Sequence, residues 1–422
     1  MDIIANYGNV LIILAIVFGV FMAWGIGAND VANAMGTSVG SGAVTIKQAI
    51  IIAVIFEFSG AILAGGEVTA TIRKGILDAA LFTNDPHLLV YGMMASLLAA
   101  GGWLLIASSF GWPVSTTHSI VGAIVGFGAV GVGIDAVAWS KVIKIVISWI
   151  ASPILAGVIS FTLFRSLQNL IIDTQNPFNN AKKYVPYYMF LVGFIVSLVT
   201  IFKGLKHVGL SFSTSSSYLL SLGFGLLVAI IGTLMIRNIH LDPDENKDFY
   251  FASMERVFSV LMIITAAAMA FAHGSNDVAN AIGPLAAIYG VIESGGAIGS
   301  KSALPVWILL VGGVGIVVGL ITYGHRVIAT IGTGITQLTP SRGFAATLAA
   351  AATVVIASGT GIPVSTTQVL VGAVLGVGLA RGMAALDTRV INRIFLSWIV
   401  TLPAGALMSI LFFFALKGAF GA

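Results

Sequence analysis

The sequence contains no cysteine and very little charge. Among its 422 residues, Asp, Glu, Lys and Arg together account for 9%. The absence of cysteine excludes disulfides, thioether-linked haem and metal sites built on thiolates. Soluble globular proteins carry about 25% charged residues, so the composition excludes that class. The net charge of +4 is too small for a chain of this length to indicate a nucleic-acid partner.

Apolar residues make up 58% of the chain, and its mean hydropathy is +1.04. The runs are continuous and lack the alternation of membrane β-strands, so we predict an all-α polytopic protein of the cell membrane, surrounded by the lipid bilayer. About twelve transmembrane segments are predicted, at 8–27, 48–66, 88–108, 114–133, 141–164, 186–203, 216–236, 253–273, 303–323, 342–358, 364–380 and 391–416.

Two polar motifs each occur twice in this apolar chain. The hexapeptide Asn-Asp-Val-Ala-Asn-Ala lies at 29–34 and 276–281, and Pro-Val-Ser-Thr-Thr lies at 113–117 and 363–367. The aspartate of the first motif precedes the proline of the second by 83 positions in one half and by 86 in the other. Duplication explains this spacing better than coincidence does, so a duplicated unit is predicted.

The duplication predicts two five-segment repeats, at 8–164 and 253–416, joined by a connector at 165–252 that holds two segments. Seven segments separate the starts of the repeats, and an odd number of crossings turns the second repeat upside down. Such inverted repeats enclose a central site in many secondary transporters. The segments beside each Pro-Val-Ser-Thr-Thr are either full spans or arms of re-entrant hairpins, and both alternatives preserve the parity.

The positive charges predict the orientation of the chain. If all twelve segments cross, twelve of the 20 Lys and Arg residues lie on the face opposite the termini. Because positive charges concentrate on the cytoplasmic side, we expect both termini outside the cell.

The Asn-Asp motifs have the chemistry of a cation site. We predict that a helix breaks at each motif, because small residues and flanking glycines permit non-helical backbone there. Carboxylates, amide oxygens and freed carbonyls are the ligands that sodium prefers. The alternative is that these side chains only cap helices, but buried carboxylates in membranes mark ion pathways. The predicted cation ligands are Asn29, Asp30, Asn276, Asp277 and the mid-span carboxylate Glu57, whose alternative role is that of a buried, protonated carboxyl group.

The hydroxyl motifs have the chemistry of an anion site. Proline starts a helix well, and the N–H groups of a helix's first turn are unpaired and lie at the positive end of its dipole. Two such ends can converge on one tetrahedral oxyanion, although the hydroxyls could instead only cap their helices. The predicted anion ligands are Ser115, Thr116, Thr117, Ser365, Thr366 and Thr367, with Asn33 and Asn280 able to reach both ligands.

Electrical balance predicts coupling to a cation. Neither motif contains Lys or Arg, and two aspartates beside an anion are untenable at low dielectric unless cations enter as well. A symporter with at least two cations per cycle is therefore predicted. The alternatives are an anion channel and an enzyme. An enzyme is disfavoured because His118, the one nearby base, is replaced by Gln368 in the second half.

The four motif copies resemble the inorganic phosphate transporter family, whose hallmark is a duplicated Gly-x-Asn-Asp-Val-Ala-Asn-Ala in opposite-facing halves. The resemblance implies a symporter of inorganic phosphate, driven by sodium or protons, with outside termini and no cofactor beyond the coupling ion. We favour sodium over protons. Some members of the same family resemble sulfate permeases, so another oxyanion remains an alternative. A homodimer is expected only because it is the commonest assembly among oligomers.

Overall fold

The structure is a computed structural model, and it describes residues 3–240, 247–298, 304–331, 338–382 and 388–421. Apart from an isolated antiparallel bridge between Leu77 and Val137, these ranges are helices and the turns that join them. The α-helices are α1 Ile3–Gly40, α2 Ile46–Ala64, α3 Gly66–Lys74, α4 Pro86–Ser109, α5 Thr116–Phe127, α6 Trp139–Leu167, α7 Pro177–Phe202, α8 Thr214–Arg237, α9 Lys247–Glu293, α10 Val306–Gly319, α11 His325–Ile331, α12 Pro340–Gly359, α13 Thr366–Arg381 and α14 Thr388–Phe420.

Short π-helical and 3₁₀ turns lengthen or join these elements. The π turns are Gly128–Val132, Gln168–Ile172 and Leu320–Gly324, and the 3₁₀ turns are Ala79–Phe82, Ile134–Ala136 and Gly204–Val208. Among the described residues, ten helices are long and apolar enough to cross a membrane. Two shorter apolar helices, Thr116–Val132 and Thr366–Arg381, follow the Pro-Val-Ser-Thr-Thr motifs. The prediction of an all-α polytopic membrane protein is confirmed.

The two long helices α1 and α9 run antiparallel through the centre of the molecule. A Cβ atom added to Gly8 would lie 3.0 Å from Ile292, and one added to Gly19 would lie 3.2 Å from Leu285. The numbers of the contacting residues rise along α1 while they fall along α9, so the two helices are antiparallel. Further along, this pairing brings the two Asn-Asp motifs face to face.

Helices α4 and α5 form a hairpin, as do α12 and α13. The first hairpin has its open end near the start of α1, because Gly296 adjoins both Ile4 and Pro86. The second has its open end near the end of α1, because Gly343 adjoins the backbone of Thr37. The two hairpins therefore enter the α1–α9 pair from opposite ends. Their tips meet between those ends.

The predicted helix break at each Asn-Asp motif is wrong. Helix α1 continues without interruption through residues 29–34, and α9 continues through 276–281. The backbone of both motifs is helical, and their polar side chains find partners on the hairpins. In α9, Pro284 removes the intrahelical donor for the carbonyl of Asn280, yet the helix continues. The breaks in helical structure occur instead at the hairpin tips.

Glycines allow α2 to lie directly against α9. A Cβ atom on Gly60 would lie 2.1 Å from the carbonyl oxygen of Phe271, and one on Gly274 would lie 2.1 Å from that of Glu57. Only residues without a side chain permit such close approach of two backbones. This contact brings the side chain of Glu57 to the centre of the protein.

The connector contributes two packed helices, α7 and α8, at the side of α9. Gly193 and Gly225 lie in their mutual contact. The last part of the predicted connector includes 241–246, which lie outside the described residues.

Candidate functional site

The site is built around the two hairpin tips, residues 110–115 and 360–365. Gly111 and Gly361 take up left-handed backbone angles, with φ of 66° and 72°, which lets each chain reverse in a few residues. After each turn a serine caps the returning helix. Ser115 accepts a hydrogen bond from the backbone N–H of His118 at 3.2 Å, and Ser365 accepts the equivalent bond at 3.3 Å.

The tips hold each other by reciprocal hydrogen bonds. The hydroxyl of Thr117 donates to the carbonyl of Val364 at 3.0 Å, and that of Thr367 donates to the carbonyl of Val114 at 3.3 Å. All four residues are buried. The N-termini of α5 and α13 are consequently brought together inside the protein, which places two sets of helix N–H groups beside one another.

The first asparagine of each Asn-Asp motif binds the hairpin of its own half. The amide of Asn29 donates to the hydroxyl of Ser108 at 2.8 Å and to the carbonyl of Trp112 at 3.2 Å. The amide of Asn276 lies 3.1 Å from the hydroxyl of Ser358, the equivalent position of the second hairpin. These bonds anchor the tips to α1 and α9.

The second asparagine of each motif reaches the opposite hairpin. The amide of Asn33 donates to the hydroxyl of Thr367 at 2.7 Å. The amide of Asn280 donates to the hydroxyls of Thr116 and Thr117, both at 3.2 Å. Each half of the chain therefore completes the hydroxyl cluster that the other half provides.

A cluster of three carboxylates surrounds His273. Its Nε2 lies 3.0 Å from Oδ2 of Asp277 and 4.0 Å from Oδ2 of Asp30, and its Nδ1 lies 3.2 Å from Oε1 of Glu57. All four side chains are fully buried. Carboxylates this close repel one another unless a positive charge lies between them, and His273 occupies that position.

The acidic and hydroxyl groups form one continuous network. Thr366 donates its hydroxyl hydrogen to Oδ2 of Asp277 at 2.8 Å, and Asn33 donates to Oδ1 of Asp30 at 3.2 Å. Within the described residues, the amide oxygens of Asn29 and Asn280 and Oδ2 of Asp30 have no hydrogen-bond partner. A buried oxygen without a partner is costly, and a cation would satisfy it.

Two aspartates and a histidine lie close enough to share an ion. One ligand atom from each of Asp30, His273 and Asp277 falls within 4.8 Å of the others. A hard cation such as sodium prefers oxygen ligands to an imidazole nitrogen. For such an ion the carboxylates and amide oxygens are the suitable ligands, and His273 is suited to holding the carboxylates in place.

The structure brings most predicted site residues into this network. Ser115 and Ser365 cap their helices, the alternative to binding the anion. Glu57 contacts His273 rather than the aspartates. The sequence reasoning missed His273. It lies one helical turn before Asp277, and Ile26 stands at the equivalent position before Asp30. An intramembrane ionisable residue beside the motif was the signal that could have revealed it.

The helical architecture, the antiparallel central pair and the polar network where two hairpins meet define a multi-pass membrane protein built like secondary transporters. The chain matches the model of the phosphate transporter family over residues 26–409. It is 54% identical over 420 residues to a putative phosphate permease of Haemophilus influenzae, covering 100% of both chains. It is 44% identical over 414 residues to the chloroplastic inorganic phosphate transporter 2-1 of Arabidopsis thaliana, covering 94% of this chain and 70% of that one.

A solved structure is also similar to the whole chain. The protein titled "The sodium-dependent phosphate transporter" superposes with a TM-score of 0.89 at 41% identity, covering 97% of this chain and 99% of that chain. The chain therefore belongs to the phosphate transporter family. The family is one of transporters, and membership supports phosphate transport as the activity.

Proposed function

We propose that this protein is a symporter that carries inorganic phosphate together with sodium ions, working by alternating access around the buried network. One observation carries the proposal: the N-termini of α5 and α13 meet against the Asp30–Asp277 pair. Anion donors and cation ligands thus lie within hydrogen-bond reach of each other.

The anion half of the site is proposed at the two helix N-termini. Thr116, Thr117, Thr366 and Thr367 are buried, and their hydroxyls already contact the motif side chains or the opposite tip. A phosphate would replace some of these bonds with bonds to its own oxygens. Asn33 and Asn280 would add amide donors, while Ser115 and Ser365 would chiefly support the turns. Helix N-termini suit such an anion because their N–H groups point at it.

The cation half follows from charge balance. If Asp30, Asp277 and Glu57 are ionised and His273 is protonated, the centre still carries two negative charges before any phosphate arrives. Such an excess is untenable at low dielectric, so cations must enter with the anion. We propose Asn29, Asp30, Asn276 and Asp277 as their ligands. Glu57 is proposed to hold His273 from the opposite ring nitrogen rather than to bind the ion directly.

The choice of sodium is supported by a relative. The similar solved structure carries a title that names it a sodium-dependent phosphate transporter. Oxygen-rich ligands at the two motifs fit the same ion. A proton-driven cycle is the alternative, and uptake measured under a sodium gradient or a pH gradient distinguishes the two.

Alternating access is proposed to arise from inverted repeats at 8–164 and 253–416, with 165–252 as connector. Support comes from the antiparallel α1–α9 pair and from hairpins that enter it from opposite ends. We propose that both hairpins are re-entrant, with tips meeting near the bilayer midplane. Exposure of the site to one side and then the other would require one tip to withdraw at a time.

The test is uptake of radiolabelled phosphate into proteoliposomes containing the purified protein. We expect accumulation above the outside concentration when a sodium gradient points inward, and none when choline replaces sodium. A pH gradient alone, with sodium absent, should not drive accumulation. Uptake driven only by the pH gradient would replace sodium with protons, and uptake that never exceeds equilibrium would indicate an anion channel.

The substrate is tested in the same vesicles. Excess unlabelled phosphate should abolish the labelled uptake, and excess sulfate should leave most of it. Stronger competition by sulfate than by phosphate would reassign the protein to sulfate or another oxyanion.

A further inference from the structure

A large groove lies outside the central network, between α6, α13 and α14. Its volume is about 790 Å³, and its walls are almost entirely apolar. Ile150, Ile154, Val158 and Ile399 line it and are 59–69% exposed. In a chain with this many apolar helices, such an open face meets the acyl chains of the bilayer. The groove is therefore accessible from the membrane rather than from water.

The inner end of the groove is polar. His118, Gln368 and Trp398 line it and are only 3%, 6% and 7% exposed. Within the described residues, neither ring nitrogen of His118 has a hydrogen bond of acceptable geometry, although the ring lies near the side chain of Gln368 and the backbone of Trp398. The amide oxygen of Gln368 and the indole N–H of Trp398 also lack a partner. Buried polar atoms without partners are expensive, and several at one point indicate a missing ligand.

These side chains do not belong to the phosphate network. His118 and Gln368 directly follow Thr117 and Thr367, whose hydroxyls contact the opposite hairpin tip. The next residue of each helix contributes to the groove instead. The ring of His118 packs at 3.9 Å against that of Trp149, which itself donates to the carbonyl of Pro363 at 3.2 Å. The inner end of the groove thus adjoins the first turns of α5 and α13.

We propose that this groove binds a lipid-soluble molecule with a slender apolar body and one uncharged hydrogen-bonding head. The walls accept the apolar body, while Trp398 offers a donor, Gln368 an acceptor, and His118 one of each. Among the described residues that line the groove there is no Asp, Glu, Lys or Arg, so a charged head would lack a counter-charge from them. The head reaches the protein interior and binds beside both hairpin tips.

The chemistry is tested by photolabelling the purified protein in lipid nanodiscs. The probe is 1-dodecanol carrying a diazirine in its chain, and labelled peptides are identified by mass spectrometry. We expect labelling on the groove faces of α6 and α13. Unlabelled 1-dodecanol should suppress it, whereas dodecane and dodecanoate should be at least about tenfold weaker competitors, because they lack an uncharged polar head.

A second groove of about 510 Å³ provides an internal control. It lies between α1 and α10, is lined by Val17, Val20 and Val314, and also includes Trp24. There the indole N–H is already paired with the hydroxyl of Thr322 at 3.0 Å. Any labelling of this groove should respond equally to dodecanol and dodecane.

Variants distinguish a ligand site from a surface that is only apolar. His118→Leu combined with Gln368→Leu should remove the preference for the alcohol over the alkane. Trp398→Phe keeps an aromatic ring, removes the indole N–H and should weaken competition by dodecanol several-fold. The proposal is overturned if the first groove shows no alcohol preference, or if the groove takes up no label because a second copy of the chain covers α6 and α14. Neither outcome depends on phosphate transport.

Discussion

The side-chain amide of Asn33 donates a 2.7 Å hydrogen bond to the hydroxyl of Thr367, a residue 334 positions further along the chain. Asn280 makes the matching bonds to Thr116 and Thr117. Each Asn-Asp motif is therefore completed by the hydroxyl motif of the other half. The proposed cation and anion ligands form one connected structure, so we expect binding of one ion to rearrange the partners of the other.

The motif aspartates should control the response to sodium. We expect Asp30→Asn and Asp277→Asn each to raise the sodium concentration for half-maximal uptake by at least about tenfold, since a buried cation loses a charged ligand. Exposed Asp173 provides a charge-matched control, and Asp173→Asn should leave sodium dependence unchanged. The measurement is initial phosphate uptake against sodium concentration. Unaltered sodium dependence in both motif variants would remove these residues from the cation site.

The threonine hydroxyls should control the affinity for phosphate. Thr367→Ala removes a hydroxyl that bonds both Asn33 and Val114, and we expect the KM for phosphate to rise about fivefold, the worth of one hydrogen bond. Thr367→Ser retains the hydroxyl and should restore most of the affinity. The half-saturating sodium concentration is measured in parallel. An equal rise in both constants would contradict the proposed division of the ligands.

Glu57 and His273 should be energetically coupled. Their side chains lie 3.2 Å apart and are fully buried. Replacing His273 by leucine removes the contact of Glu57, and replacing Glu57 removes the contact on one of the two ring nitrogens of His273. We expect Glu57→Leu and His273→Leu each to lower the thermal unfolding midpoint in detergent. In free energy of unfolding, the loss in the double variant should be smaller than the sum of the two single losses by at least about 1 kcal/mol. Strict additivity would show that the contact contributes nothing to stability.

The contact of α2 with α9 depends on the absence of a side chain at Gly274. A Cβ atom there would lie 2.1 Å from the carbonyl of Glu57, so Gly274→Ala must push the helices apart. We expect a lower unfolding midpoint and weaker uptake. Gly223, in the middle of α8, has no atom within 4 Å of an added Cβ. Gly223→Ala should therefore be neutral or stabilising by up to about 1 kcal/mol, and an equal loss in both variants would contradict the packing argument.

The orientation can be tested because the chain has no native cysteine. Asn6→Cys places an exposed thiol near the N-terminus, and Lys183→Cys places one on the connector. With outside termini, a membrane-impermeant maleimide should label the first variant in intact cells and the second only after lysis. The reverse pattern would place the termini in the cytoplasm.

Local information was enough for much of the fold. Apolar run lengths predicted the helical membrane class, and repeated motifs located both the hairpin tips and the residues that meet there. The same information failed at residues 29–34 and 276–281, where polar side chains suggested broken helices. The helices continue because Ser108, Ser358 and the opposite hairpin satisfy those side chains. Partners so distant in the chain leave no trace in the local pattern.

The sequence alone determined that this is a helical membrane protein with a duplicated polar centre, because hydrophobicity and motif spacing are properties of the covalent chain. Only the tertiary structure decided that Asn33 belongs with Thr367, that Glu57 meets His273, and that Ser115 and Ser365 act as caps. The physical reason is that hydrogen bonds and ion contacts depend on separations of about 3 Å. Such separations arise only when close helix packing brings distant segments together.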